Sequence, residues 1–103
     1  MVRREDLARA VADAVTAVPG VSALVGGPGI EVSTQFSGGK VLGLRLTSDP
    51  VEVHIRADRV PLPPVAEAAA SAAKTVLTAA GDERAVRVVV VDIVADSLNR
   101  RGF

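Results

Sequence analysis

The chain contains a single histidine, and its neighbours could assist it in acid-base chemistry. His54 lies between Glu52 and Arg56 at alternate positions of an apolar segment. The ordinary charge change of histidine falls near neutral pH, which makes His54 the first candidate for a general acid or base. Alternate residues of a strand share a face, so the three side chains project side by side. No serine or aspartate has a spacing that forces it next to His54, and we therefore predict a contact residue rather than a catalyst.

Metal and cofactor sites are not expected from the residue types. The chain has no cysteine and one histidine, and its carboxylates are dispersed without a recognisable ligand spacing. Gly38-Gly39-Lys40 lacks the first glycine of a Walker phosphate loop, and its surroundings are typical of a hairpin. We expect a protein that is not an enzyme and that holds no cofactor.

A glycine motif raises nucleic-acid binding as an alternative. Gly26-Gly27-Pro28-Gly29 fits the bare GxxG motif of KH domains, which are also small α+β units. In KH domains that loop joins two helices, whereas here it lies between two predicted strands without flanking lysine or arginine. The 12 basic residues balance the 12 acidic ones, and the chain has two phenylalanines but no tyrosine or tryptophan for stacking. We expect no nucleic acid partner, and a small KH-like nucleic-acid-binding module remains the alternative function.

Length and composition set the domain organisation. The 103 residues suffice for one domain with a single core, which we place at residues 1–95, with a flexible tail at 96–103. Valine and alanine supply most of the 49% hydrophobic fraction, so the core is thin and favours support from a second subunit, as in a homo-oligomer. The N-terminal residues lack the apolar stretch of a secretory signal, and no segment is apolar enough to span a bilayer. We expect a cytoplasmic protein without direct membrane insertion.

The hydrophobic pattern changes its period along the chain and predicts an α+β fold. Apolar residues alternate in strands but recur about every 3.6 residues in helices. This pattern predicts a two-layer domain with a mostly antiparallel sheet and two helices, in the order αβββαβ, or αββββαβ if the short 21–25 strand is counted. The third and fourth strands form a hairpin. The predicted elements are a first helix that ends at Pro19-Gly20, strands over 21–25, 30–36, 41–46, 51–58 and 85–94, and a second helix over 64–80. The apolar face of the second helix is predicted to contain Val65, Ala69, Ala72, Val76 and Ala80.

The register of the strands can be predicted from the faces that must be buried. If Phe36 and Leu42 share the core face, the turn at 38–40 has an odd number of residues. The turn at 47–50 has an even number, which places Leu46 opposite Val51, Leu44 opposite Val53 and Leu42 opposite Ile55. On the other face it places Arg45 opposite Glu52. The last strand is apolar on both faces, with Val86, Val88, Val90 and Val94 on one side and Val89, Val91 and Ile93 on the other. It therefore needs cover on both sides.

Four parts of the chain carry a family resemblance. They are Val18-Pro19-Gly20-Val21 followed by Leu24 and Gly26-Gly27, then Val51-Glu52-Val53-His54-Ile55, Pro61-Leu62-Pro63-Pro64-Val65-Ala66-Glu67 and Val88-Val89-Val90-Val91-Asp92-Ile93. In this order they resemble the bacterial alkaline shock protein family of envelope stress response proteins, especially its short actinobacterial members, over about residues 7 to 94. Many relatives carry tyrosine-glycine where this chain has Asp58-Arg59, and threonine-glycine where it has Ala80-Gly81.

The resemblance implies a function without catalysis. It implies a cytoplasmic scaffold or adaptor of the cell-envelope stress response that self-associates and is held at the membrane periphery by a separate, membrane-anchored protein. The family has no active-site residues to transfer. From the residues themselves we expect the partner-binding surface to include the last strand and five side chains, namely Arg45, Glu52, His54, Arg56 and Arg59.

Overall fold

The computed structural model describes residues 3–26 and 32–93, and within them an α+β fold with two helices. The α+β prediction is confirmed. The expected tail at 96–103 lies outside the described residues, as do most of the glycine motif and Val94. The elements are α1 (Arg4–Thr16), β1 (Val21–Leu24), β2 (Ser33–Phe36), β3 (Gly39–Leu42), β4 (Leu44–Arg45), β5 (Val51–Ala57), α2 (Leu62–Ala79) and β6 (Val86–Ile93).

Strand β5 is the centre of the main sheet. Strand β6 runs parallel to it along one edge, whereas β1 and β4 lie end to end along the other edge and are antiparallel to it. The peptide of His54 marks the junction between β1 and β4. Its N–H donates to the carbonyl of Gly43 at 2.7 Å, and its carbonyl accepts from the N–H of Val25 at 3.0 Å. Both edges of β5 are therefore hydrogen-bonded.

Both helices pack on one face of this sheet. Alternate residues of β5 from Val51 to Ala57 are completely buried, and they form one cluster with the buried sides of both helices. Each buried valine contributes roughly 1.5–3 kcal/mol by removal from water. Val65 and Ala69 of α2 are buried as predicted. In the following turns the fully buried residues are Ala73 and Leu77 rather than Ala72 and Val76, and Val76 is partly buried against the core. The buried helix residues are Ala8, Val11 and Val15 of α1, and Val65, Ala69, Ala73 and Leu77 of α2.

A separate hairpin of β2 and β3 corrects the predicted turn. Phe36 pairs directly with Gly39, so the turn consists of two residues and the prediction of an odd number was wrong. Thr34 pairs with Val41 in the same hairpin. Val41 is therefore buried, whereas Leu42 is 43% exposed and does not face the core as predicted.

Gly43 explains the change of phase. It has φ of +80°, a conformation that residues with a Cβ rarely adopt, and it splits the predicted 41–46 strand into β3 and β4. After this break Leu44 faces the core and pairs with Val53, as predicted. Leu24 of β1, rather than Leu42, pairs with Ile55. One positive-φ glycine thus interrupts the alternation that the sequence implied.

The hairpin is attached to the rest of the domain by a buried hydroxyl and an aromatic ring. The Thr34 hydroxyl donates to the carbonyl of Leu44 at 2.6 Å and accepts from the N–H of Leu46 at 3.0 Å. Because Thr34 is only 1% exposed, these two bonds satisfy a polar group that would otherwise be costly to bury. The Arg9 guanidinium of α1 lies 5.1 Å from the centre of the Phe36 ring.

An arginine joins the segment after α2 to the turn before β5. Arg84 Nη1 donates to the carbonyls of Leu46 at 2.6 Å and Ser48 at 3.0 Å. Its Nε and Nη2 atoms donate to the carboxylate of Asp82, and Nη2 lies 2.6 Å from Oδ2. Hydrogen bonds from the Arg84 side chain, and to a smaller extent from its backbone N–H, are the main causes that lower the pKa of Asp82 from 3.8 to about 2.

Replacing Gly43 with alanine should destabilise the fold. A Cβ there would lie 2.8 Å from the Val25 nitrogen and 2.9 Å from the His54 oxygen, both of which are backbone atoms. With the added strain of the positive φ, we expect a loss of about 3 kcal/mol in the free energy of unfolding, measured by urea denaturation. The control is Gly38→Ala, where a Cβ meets nothing within 4 Å. Equal effects of the two substitutions would contradict the role assigned to Gly43.

The Asp82–Arg84 pair should make stability depend on acidic pH. A carboxyl whose pKa is lower in the folded state stabilises the fold above its unfolded pKa of 3.8, and this contribution disappears as the pH falls towards 2. Solvent screening at the surface limits the contribution to about 1 kcal/mol. We expect Asp82→Asn to be destabilising at pH 6 and nearly neutral at pH 2, as measured by the free energy of unfolding. Glu83→Gln is the control, and a pH-independent difference between wild type and Asp82→Asn would refute this assignment.

Candidate contact surface

The sheet face opposite the helices, hereafter the outer face, has a regular arrangement of charges. Cross-strand pairing places Arg45, Glu52 and Arg87 in one row across β4, β5 and β6. The pairing of Arg45 with Glu52 confirms the predicted register. The next rows place Val89 beside His54, and then Ala23 and Asp92 beside Arg56.

Glu52 and His54 form the best-defined pair of this face. His54 Nε2 lies 3.1 Å from Glu52 Oε1, and the two side chains are 14% and 21% exposed, respectively. The hydrogen bond from His54 is the main cause that lowers the pKa of Glu52. The charges of Arg45 and Arg87 act in the same direction, whereas burial opposes them. The ionised carboxylate is thus held by a hydrogen bond and by cations on both neighbouring strands.

The remaining nitrogen of His54 does not form an accessible base. If Nε2 carries the proton that it donates to Glu52, then Nδ1 is the free acceptor. Nδ1 is buried and has no hydrogen-bond partner among the described residues. A general base must come within hydrogen-bond reach of a substrate, and the buried Nδ1 of His54 does not meet that requirement. The pair therefore fits a fixed contact surface better than a catalytic dyad.

Arg56 links the two parallel strands at the surface. Its Nε lies 3.3 Å from Oδ2 of Asp92, and the side chains are 42% and 58% exposed. The contact is an ion pair without hydrogen-bond alignment, since Nε has no hydrogen-bond partner within residues 3–26 and 32–93. Exposed pairs of this kind contribute little stability, so these two charges are available to a partner. The sequence pattern missed this neighbour of Arg56 because β6 contains a bulge.

The bulge also corrects the predicted faces of β6. Ile55 pairs with Val90, but the next residue, Arg56, pairs with Asp92, so Val91 is the extra residue. Ile93 consequently pairs with Ala57 on the helix side, and the prediction that it shares a face with Val89 was wrong.

Arg59 is not part of this group. Its Nε pairs with Oδ1 of Asp58 at 3.0 Å, in the connection between β5 and α2. A Cβ added to Gly20 would meet the Arg59 stem and the Val65 side chain of α2, which places that stem on the helix side of the sheet. The structure thus brings four of the five predicted contact residues onto one sheet face and separates the fifth.

Other kinds of site find little support in the described parts of the chain. Residues 3–26 and 32–93 contain no group of three histidine, cysteine or acidic side chains suited to a metal ion. No helix in those residues is long and apolar enough to cross a membrane. An open groove of about 310 Å³ lies between α2 and β6, lined by Leu62, Val90, Val91, Asp92 and Ile93. Asp92 is the one ionisable side chain of this lining, and no serine, cysteine, lysine or histidine lies beside it there.

The surroundings of the glycine motif agree with the predicted strand-to-strand connection. Gly26 follows β1, and its carbonyl accepts from the N–H of Val32, which precedes β2, at 2.9 Å. The motif therefore lies between two strands rather than between two helices.

Comparison with models of protein families, with curated proteins and with solved structures finds no match for this chain.

Removing the imidazole should change the ionisation of Glu52. We expect His54→Phe to raise the pKa of Glu52 towards 4.5, because the strongest of the lowering interactions is lost. Side-chain carboxyl chemical shifts in an NMR pH titration measure this directly. Arg56→Gln is the matched control on the same face and should leave the Glu52 pKa in place. An unchanged pKa in His54→Phe would show that the two side chains do not interact in solution.

Proposed function

We propose that this chain is a non-enzymatic scaffold or adaptor of the bacterial cell-envelope stress response, of the alkaline shock protein type. It self-associates in the cytoplasm and is recruited to the membrane periphery by an anchored protein. The proposal is supported above all by the one-sided packing, in which both helices cover the same face of the sheet and the outer face displays an ordered set of charges. The family resemblance of the sequence supplies the biological context.

The pattern of charge on the outer face favours a protein partner. Arg45 and Arg87 flank Glu52, and Arg56 pairs with Asp92, so positive and negative groups alternate across the strands. Nucleic acid and anionic lipid select surfaces with an excess of positive charge, whereas protein interfaces use mixed charges for specificity. The net charge of zero for the whole chain agrees with this reading.

The KH-like alternative has less support. Its motif connects two strands, and the 12 basic residues of the chain are matched by 12 acidic ones. Binding of single-stranded RNA that weakens steeply with salt would favour this alternative over the adaptor function.

Binding to native membranes tests the adaptor function. We expect the purified chain to sediment with membranes from its source cell, because an anchored protein holds it there. Binding should disappear after protease treatment of those membranes, and protein-free vesicles of the same lipids should not retain the chain. The proposal would be contradicted if the protein-free vesicles retained the chain. It would also be contradicted if the untreated membranes did not retain it.

Charge reversal on the outer face identifies the surface that is used. Glu52→Arg should reduce membrane retention about tenfold or more, since it replaces the carboxylate at the centre of the charged row with a cation. Glu83→Arg makes the same change in net charge in the connection between α2 and β6 and should bind like wild type. Equal loss in both variants would assign the effect to net charge rather than to the outer face.

A further inference from the structure

Among the described residues, the second edge of β6 is open. Strand β6 pairs with β5 along one edge, and no described strand pairs with the other. Its residues are mostly valine, and Val86, Val88 and Val90 pack against the core from the helix side. An edge of this composition can accept another strand by main-chain hydrogen bonding.

The direction of the peptide groups on this edge follows from the parallel pairing. Val51 N–H donates to the carbonyl of Ala85 at 2.9 Å. Peptide groups alternate in direction along a strand, so residues 85, 87 and 89 point their main-chain groups towards β5. The N–H and carbonyl groups of Val86, Val88 and Val90 therefore point outward from the open edge.

The outward groups match those of a second copy of the same strand. In an antiparallel arrangement with a two-fold axis at Val88, Val86 opposes Val90 of the second copy, and Val88 opposes its own counterpart. Residues whose main-chain groups point outward then oppose each other, so the pairs 86–90 and 88–88 can each exchange two hydrogen bonds between the copies. This register keeps the helix-side valines of both copies on the same side of the joined sheet.

Side chains on both faces are compatible with this register. On the outer face Arg87 opposes Val89 of the second copy, so the two arginines are not directly opposite each other, and each keeps Glu52 of its own chain as a cross-strand neighbour. On the other face α2 packs over β6, and the charged residues of α2 are Glu67 and Lys74 alone. Its alanine-rich surface allows the two copies of α2 to approach closely.

We propose that two copies of this chain associate through their β6 edges, antiparallel and centred on Val88, to form one continuous sheet. This inference rests on the self-association in the proposed function and specifies its geometry. The occupant of the edge is a second copy for three reasons. In this register outward main-chain groups oppose outward main-chain groups, the helix-side valines of both copies lie on the same side, and the alanine-rich surfaces of the two α2 helices can pack together. The dimer carries both outer faces on the same side of the joined sheet, where a partner can contact them together.

Disulfide cross-linking tests the register in a chain that has no native cysteine. Residue 87 and residue 89 of the second copy form a non-hydrogen-bonded pair, in which Cα atoms are about 4.5 Å apart, close enough for a disulfide. Identical positions, 87 with 87 or 89 with 89, are diagonal neighbours at about 7–8 Å and are too distant. Under mild oxidation, a mixture of full-length Arg87→Cys and Val89→Cys chains should cross-link about fivefold faster than either variant alone.

A pair of charge variants tests the same contact without cross-linking. Val89→Glu places a carboxylate opposite Arg87 of the second copy, whereas Val89→Arg places two cations together. Both introduce a charge at the same position of the monomer. We expect the dissociation constant of the dimer, from sedimentation equilibrium, to be about tenfold lower for Val89→Glu than for Val89→Arg. Circular dichroism of both variants verifies that they fold.

The outcomes separate this inference from the proposed function. A dimer that gives no preferential 87–89 cross-link would overturn the β6 geometry and leave self-association standing. A monomer in which the amides of Val86, Val88 and Val90 resist hydrogen exchange would mean that the chain's own residues cover the edge, which also overturns it. A monomer at all concentrations would refute both this inference and the self-association, whereas retention by native membranes would still support the adaptor role.

Discussion

The pairing of β5 along both of its edges is the constraint on which the rest of the structure depends. Its alternate residues from Val51 to Ala57 fill the core beneath the two helices, so its remaining residues must lie on the opposite face. Strand β6 fixes one edge, and the peptide of His54 fixes the junction of β1 and β4 at the other. A shift of one residue in β5 would exchange the valines with the charged side chains. The register that builds the core therefore also builds the outer face.

Charge pairing follows from this register. Glu52 receives a hydrogen bond from His54 on its own strand and lies between arginines on the strands to either side. Interactions of this kind fix side chains without creating an accessible nucleophile or base, and the sealed Nδ1 of His54 agrees with that reading. A fixed, mixed-charge surface on one side of a thin domain suits recognition by other proteins, and this supports an adaptor role over an enzymatic one.

Local patterns predicted much of the fold but not its exceptions. Both helices, the alternation in β5, the stop at Gly81 and the pairing of Arg45 with Glu52 follow from periodicity and turn chemistry. Gly43 was not recognised as a break because the backbone atoms that lie close to it belong to Val25 and His54, which are distant in sequence. The bulge at Val91 and the contacts of Arg84 with the turn before β5 likewise depend on tertiary pairing. In the sequence, the one feature that pointed to the contacts of Arg84 was its spacing from Asp82, two residues earlier and just after α2. The shared face of Glu52, His54 and Arg56 was predictable because strand alternation is local, whereas the placement of Arg59, in a connection, was not.

We infer that this protein acts through association at its β6 edge and outer face. An NMR concentration series from about 10 μM to about 1 mM, recorded on the ¹⁵N-labelled full chain, tests it most directly. We expect concentration-dependent shifts of the amides of residues 86–90, with smaller shifts of outer-face residues in β5 and none in the β2–β3 hairpin. A spectrum that does not change over this range, or changes confined to α1 and the hairpin, would contradict it.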